Sequence, residues 1–181
     1  AKHGLDYQRP YSSQFGVTLS QNLTGVGYGN GIFVVGAVSG GMVWASETLA
    51  ASGIYDWSSG SASQDIYDAA YGNSTFVIVG SSERIFSSSN GTTWTSRTCS
   101  IAGTRDLKGI EFGNDIFVLV GYGGSICTSS DGTTWTARSG NVGNVSDVKY
   151  TDVTYGNGTF VAVGFSGTIF SSSDGTTWTS R

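Results

Sequence analysis

Apolar residues arrive along this chain in short bursts, each framed by an alternating stretch and a turn. The bursts Phe76-Val-Ile-Val79, Phe117-Val-Leu-Val120 and Phe160-Val-Ala-Val163 are apolar at every position. A strand of that kind is buried on both faces. Ahead of each burst runs a mixed segment, such as Leu23-Thr-Gly-Val-Gly-Tyr28 or Tyr150-Thr-Asp-Val-Thr-Tyr155. Between the two sits Gly-Asn-Gly, or Gly-Asn followed by Ser or Asp. Asn-Gly is a strong hairpin signal because both residues tolerate positive φ. Downstream, Ile85, Ile126 and Ile169 mark a third strand, which enters a Ser-Asn-Gly or Ser-Asp-Gly turn. A fourth strand is predicted from Trp94, Trp135 or Trp178 to the arginine three residues on.

The pattern is a repeat. Tyr71-Gly-Asn-Ser-Thr-Phe-Val-Ile-Val-Gly80 returns as Phe112–Gly121 and Tyr155–Gly164. Ser88-Ser-Asn-Gly-Thr-Thr-Trp-Thr-Ser-Arg97 returns as Ser129–Arg138 and Ser172–Arg181. A worn copy begins at Tyr28 and ends near Trp57, without the Ser-Asp-Gly turn. The anchors Tyr28, Tyr71, Phe112 and Tyr155 lie 43, 41 and 43 residues apart. Four strands per ~40–45 residues is the period of a propeller blade. The fold predicted is all-β: a β-propeller of about four four-stranded antiparallel blades. The blades fall near residues 22–60, 65–100, 106–140 and 149–181. Residues 1–20 stand outside the repeat, as an arm or as a closing strand; the segment Gln14–Leu19 would then complete the last blade. Closure by oligomerisation would also satisfy open β edges; a four-blade ring, a two-chain eight-blade ring and a fragment of a larger chain all stay open.

Composition changes the picture only slightly. Gly, Ser and Thr supply 76 of 181 residues, yet 5 Trp, 9 Tyr and 9 Phe argue for a packed core and against disorder. Nine basic against 13 acidic residues give a net charge of −4, and the basic residues are dispersed. Nucleic-acid binding needs a cationic footprint, so it is excluded as a reading. No apolar run approaches the ~20 residues of a membrane span. No secretory leader is visible, and Ala1 suggests that an initiator Met or leader has been removed. Cys99 and Cys127 follow no metal or redox spacing; Cys127 takes the place of Phe86 and Phe170, which predicts a plain buried thiol.

The Ser-x-Asp-Gly-x-x-Trp block resembles the Asp-box of sialidase-like, or BNR-repeat, propellers. The upstream Tyr-Gly-Asn-Gly-x-Phe-Val-x-Val-Gly is similar to repeats in bacterial and phage proteins of that superfamily. The resemblance covers residues 66–181 strongly and 22–57 weakly. Here Asp131 and Asp174 are followed directly by Gly, where the usual box has one residue between, and Asn90 replaces the Asp. The resemblance implies a non-catalytic interaction or assembly module, a component of a phage particle or bacterial surface, with a virion or cell-surface location. A carbohydrate-binding propeller is the alternative, and a sialidase-like hydrolase fragment a distant third.

Repeated residues read as structure. Asp131, Asp174 and Asn90 suit turns, where a side-chain oxygen bonds nearby amides. Trp94, Trp135 and Trp178 suit wedges between blades. Arg97, Arg138 and Arg181 recur at one offset, so they point in different directions around a ring and form no cluster. Of five Asn-x-Ser/Thr sequons, those at Asn73, Asn90 and Asn157 fall in repeated turns, where Asn is wanted for its backbone. Sialidase-like catalysis would need converging arginines, an acid/base carboxylate and a Tyr–Glu nucleophile pair. The family's Arg-Ile-Pro segment is absent, the family's catalytic members have six blades, and the single His is His3. No enzyme, cofactor or metal is therefore expected. Residues that break the repeat on the face formed by the second-to-third-strand turns are better candidates. These are Glu83, Arg84, Tyr122 and Phe165, expected to contact a protein partner or surface glycan.

Overall fold

The computed structural model describes residues 22–38, 42–49, 55–61, 65–101, 104–138 and 148–181; for 42–49 and 55–61 only the backbone is described. Sixteen strands form four antiparallel sheets, each made of four consecutive strands. The first contains β1 (Leu23–Gly29), β2 (Ile32–Ala37), β3 (Met42–Leu49) and β4 (Tyr55–Ser61). The second contains β5 (Ile66–Gly72), β6 (Thr75–Gly80), β7 (Ile85–Ser88) and β8 (Thr95–Arg97). The third contains β9 (Leu107–Gly113), β10 (Ile116–Gly121), β11 (Ile126–Ser129) and β12 (Thr136–Ala137). The fourth contains β13 (Tyr150–Gly156), β14 (Thr159–Gly164), β15 (Ile169–Ser172) and β16 (Thr179–Ser180). The last sheet is thus complete with its own strands. Gln14–Leu19 and the rest of the expected arm lie outside the described residues. In the last three blades the outer strand starts one residue after the tryptophan, later than the sequence predicts.

Each hairpin between the first two strands is closed by two residues in the left-handed region, for example Asn73 (φ 44°) with Ser74 (φ 60°) and Asn157 (φ 48°) with Gly158 (φ 77°). Positive φ at both positions is the type I′ geometry, whose twist matches that of the strands. This is what the sequons at Asn73 and Asn157 are there for. The Asn73 amide also donates to the Ser130 carbonyl of the next sheet.

The core lies between blades. Phe76, Val77, Ile78 and Val79 are all buried, so β6 is covered on both faces. Phe76 and Ile78 join Val34, Ile66 and Ala69, with Trp94 packed alongside, at the first junction. Val77 and Val79 join Phe117, Leu119 and Trp135 at the second. Val118 and Val120 join Phe160, Ala162 and Trp178 at the third. The tryptophans are wedges, as the repeat predicts. Inner strands pack in series, β1 on β5, β5 on β9 and β9 on β13; among the described residues β13 makes no comparable contact with β1.

The cysteines correct the sequence reading. Cys99, leaving the second blade, is bonded to Cys127 on β11 in a disulfide. Cys127 does sit in the core, but it holds two blades together and is no free thiol. The residue spacing concealed this because the bond spans a blade junction.

Candidate functional site

The Ser-Asp-Gly turns spend their polar groups internally. Asp131 Oδ1 accepts the amides of Thr133 and Thr134, both at 2.7 Å, and the Ser129 hydroxyl at 2.9 Å. Asp174 does the same with Thr176, Thr177 and Ser172. Asn90 reproduces the set without charge. The amide bonds hold the Asp131 and Asp174 carboxyls well below the usual carboxylate range. Arg97, Arg138 and Arg181 each donate from Nε to a hydroxyl ten residues back, of Ser87, Thr128 and Ser171. These groups are committed to the blades.

An open cleft of about 370 Å³ lies along the inner strands, and Asp68, Glu111 and Asp152 line it. Asp68 accepts the amides of Ala69 and Ile110, but burial dominates and pushes its carboxyl up to about 6. Glu111 and Asp152 accept the amides of Phe112 and Val153. Among the described residues, no group of three or more His, Cys, Asp or Glu is placed to hold a metal ion. No helix among them is long and apolar enough to cross a membrane.

The richest surface forms where inner strands begin. Each turn between a second and third strand is pinned there by backbone bonds. Tyr122 N–H donates to Asp106 O, and Phe165 N–H to Lys149 O. The pins bring Tyr122 and Phe165 together, with ring centroids 6.2 Å apart. Beside them Lys108 Nζ lies 3.3 Å from the Tyr67 ring centroid and 5.0 Å from that of Tyr122. Lys149 Nζ lies 5.8 Å from the Tyr122 centroid. An ammonium over a ring face is attracted by the ring quadrupole. Asp106 completes the group: it pairs with Lys108 at 3.1 Å and accepts the Tyr67 hydroxyl at 3.2 Å. Burial pushes the Tyr67 hydroxyl pKa up. Burial alone would lower Lys108, but Asp106 and Tyr67 outweigh it and raise its pKa.

Of the four candidate residues, Tyr122 and Phe165 therefore share one patch. Glu83 and Arg84 sit on the neighbouring turn of the second blade. Glu83 (φ 61°) donates its amide to the Arg105 carbonyl, and the Arg105 guanidinium lies over Gly123 (φ 68°), next to Tyr122. Arg105 thus links the two turns, one through its backbone carbonyl and the other through its guanidinium. Sequence reasoning missed Tyr67, Asp106 and Lys108. Their signal was the charged run Arg105-Asp-Leu-Lys108, conspicuous in a chain with only 12% charged residues.

Four four-stranded antiparallel sheets packed in series through their inner strands, with their connections forming such a surface, define a β-propeller fold. A model of the DUF6242 beta propeller domain matches residues 97–181, which takes in the third and fourth blades. No curated protein matches the sequence. Among solved structures, the chain is similar to the computationally designed Ika4 protein, at 16% identity and TM-score 0.62, over 86% of this chain and 92% of that one. It is similar to YCF48 from Cyanidioschyzon merolae at 14% identity and TM-score 0.64, over 91% of this chain and 57% of that one. YCF48 bound to D1 peptide gives 11% identity and TM-score 0.58, over 90% and 54%. The chain thus spans little more than half of the YCF48 chains.

These findings overturn the sialidase-like, BNR-repeat resemblance, since the matching family model is a different propeller domain. The reason is physical. The bonds of the Ser-Asp-Gly turn are local, closing between residues two and three apart. Any blade needing a tight outer hairpin can use them, so the block identifies a turn and not a lineage. The phage and virion expectations rested on that resemblance and are left without support.

Proposed function

We propose that this chain is a non-catalytic propeller module that binds a protein partner. The observation that carries the reading is the Tyr67–Lys108–Tyr122–Phe165 patch. Phe165 is exposed, Tyr122 half-buried, and ammonium groups stand beside the rings. Aromatic anchors with adjacent charge are the usual energetic centre of a protein interface. Such a patch fits an extended segment presenting an apolar side chain next to a carboxylate. The fold likeness to a propeller solved with a peptide supports this reading. The repeated carboxylates Asp131 and Asp174 are occupied by backbone amides, which supports a module without acid–base chemistry. The Cys99–Cys127 bond fits an oxidising setting, extracellular or lumenal.

A displayed random-peptide library, panned on the folded chain, tests the proposal. Enriched peptides should combine an acidic with an apolar residue. They should lose binding at least tenfold to the Tyr122→Ala/Phe165→Ala variant. Retention of glycans by the same patch, with no peptide enriched, would replace the protein partner with a surface glycan.

A further inference from the structure

The same junction is built three times among the described residues, and the first and fourth blades expose its two unused halves. At each junction the aromatic residue ending an inner strand covers the glycine that ends the preceding one. A Cβ at Gly29 would fall on the Tyr71 ring, one at Gly72 on Phe112, and one at Gly113 on Tyr155. The fourth glycine of the series, Gly156, has nothing within 4 Å of its Cβ position. The first aromatic of the series, Tyr28, is 60% exposed. Among the described residues, the first blade holds an unplaced ring and the last an empty socket.

The surrounding residues repeat the message. Leu23 and Val26 are 51% and 61% exposed, whereas their counterparts Ile66, Leu107 and Tyr150, and Ala69, Ile110 and Val153, are buried. On the fourth blade Val163 and Ile169 are 38% and 44% exposed, while Val79, Val120, Ile85 and Ile126 are fully buried. Each of these exposed apolar residues stands where a neighbouring blade covers its equivalent. Contiguous exposed apolar surface of this kind marks an interaction site.

We infer that a second copy of this chain docks head to tail on the first, Tyr28 of each over Gly156 of the other, closing a ring of eight blades. The two surfaces are complementary to each other and not to themselves, so each copy presents both: Tyr28 of one meets Gly156 of the other and the reverse, as closed two-fold symmetry requires. A two-fold rotation makes two identical junctions and leaves no apolar face open. Propellers typically have four to eight blades, so two copies complete a ring within that range and three would exceed it. The interface continues one already present three times inside the chain. It is separate from the aromatic–cationic patch and holds whether or not that patch binds a peptide.

Light scattering after size exclusion tests the inference with Tyr28→Ala and Gly156→Phe. Circular dichroism and thermal unfolding first confirm that both variants are folded, which the exposure of both sites allows. The unaltered chain should give twice the 18.8 kDa chain mass, and each variant alone should give a monomer. Mixed one to one, the variants should form a heterodimer, because the Tyr28 of one still meets the Gly156 of the other. A monomer at every concentration would overturn the inference and assign the faces to residues 1–21 or to closure within one chain. Masses that climb without a plateau would overturn the closed ring. Dimers of either variant alone, or no heterodimer on mixing, would overturn the head-to-tail contact.

Discussion

The Asp68 carboxylate accepts the Ile110 amide at 2.9 Å, joining the inner strand of the second blade to that of the third beside the cleft. The bond favours the charged form, yet burial and the nearby Asp152 and Glu111 raise the carboxyl to about 6.

Because the folded Asp68 holds its proton to higher pH than the unfolded one, stability falls as pH rises from about 4 to about 6. The expected fall is about 2 kcal/mol, from about 1.4 kcal/mol per pKa unit and some solvent relief in an open cleft. Asp131 and Asp174 act oppositely: their carboxyls are lowered, so their contribution is complete above about pH 4 and lost below it. Urea midpoints measured between pH 3 and 7 should show both limbs. Asp68→Asn should flatten the upper limb and leave the lower one.

The turn bonds predict a graded series at Asp131. Asp131→Ala should destabilise by about 1–2 kcal/mol, since it strands two amides and a hydroxyl. Asp131→Asn should cost under about half of that, because Asn90 makes the equivalent bonds in the second blade. Equilibrium unfolding in urea separates the two.

Reduction of the Cys99–Cys127 bond, which spans 28 residues, should lower stability by about 3–4 kcal/mol on the loop-entropy estimate. The Cys99→Ala/Cys127→Ala variant should unfold at the same denaturant concentration with and without reductant. A reductant effect persisting in that variant would refute the assignment.

Tyr150 is fully buried, and its hydroxyl has no hydrogen-bond partner among the described residues; burial alone pushes its pKa up to about 12. Its counterparts Ile66 and Leu107 are apolar. Tyr150→Phe should therefore raise stability by about 1 kcal/mol, read as an increase in melting temperature.

Phe165→Ala should leave stability within about 0.5 kcal/mol, because the ring is exposed. Peptide binding should nonetheless weaken, which distinguishes a contact residue from a structural one.

The blade was legible in the sequence because its determinants are short-range. Asn73 and Asn157 need positive φ, and Asp131 and Asp174 need amides two and three residues away. The Phe-Val-Ile-Val burst needs two covered faces. What escaped the sequence lies across junctions. The partner of Cys127 is in another blade, and Lys108 meets Tyr67 only because β9 packs on β5. Tyr122 and Phe165 stood out as interruptions of the repeat. The group that supports them, Asp106 with Lys108 and Tyr67, is assembled from two blades: the charged run Arg105–Lys108 marks one half, and nothing in the linear sequence joins it to Tyr67. The mistaken family resemblance has the same origin, since a local turn carries no record of what surrounds it.

Since the apolar core lies between sheets, a single blade has almost nothing to bury on its own. During synthesis the first blade, β1 to β4, can form its hairpins only marginally, because isolated hairpins are weak in water. They gain a core when the second blade emerges, and each later blade consolidates the one before it. Order in the growing chain should therefore trail the ribosome by one full repeat. The fourth blade, whose Val163 and Ile169 are still partly exposed, is less consolidated than the second and third.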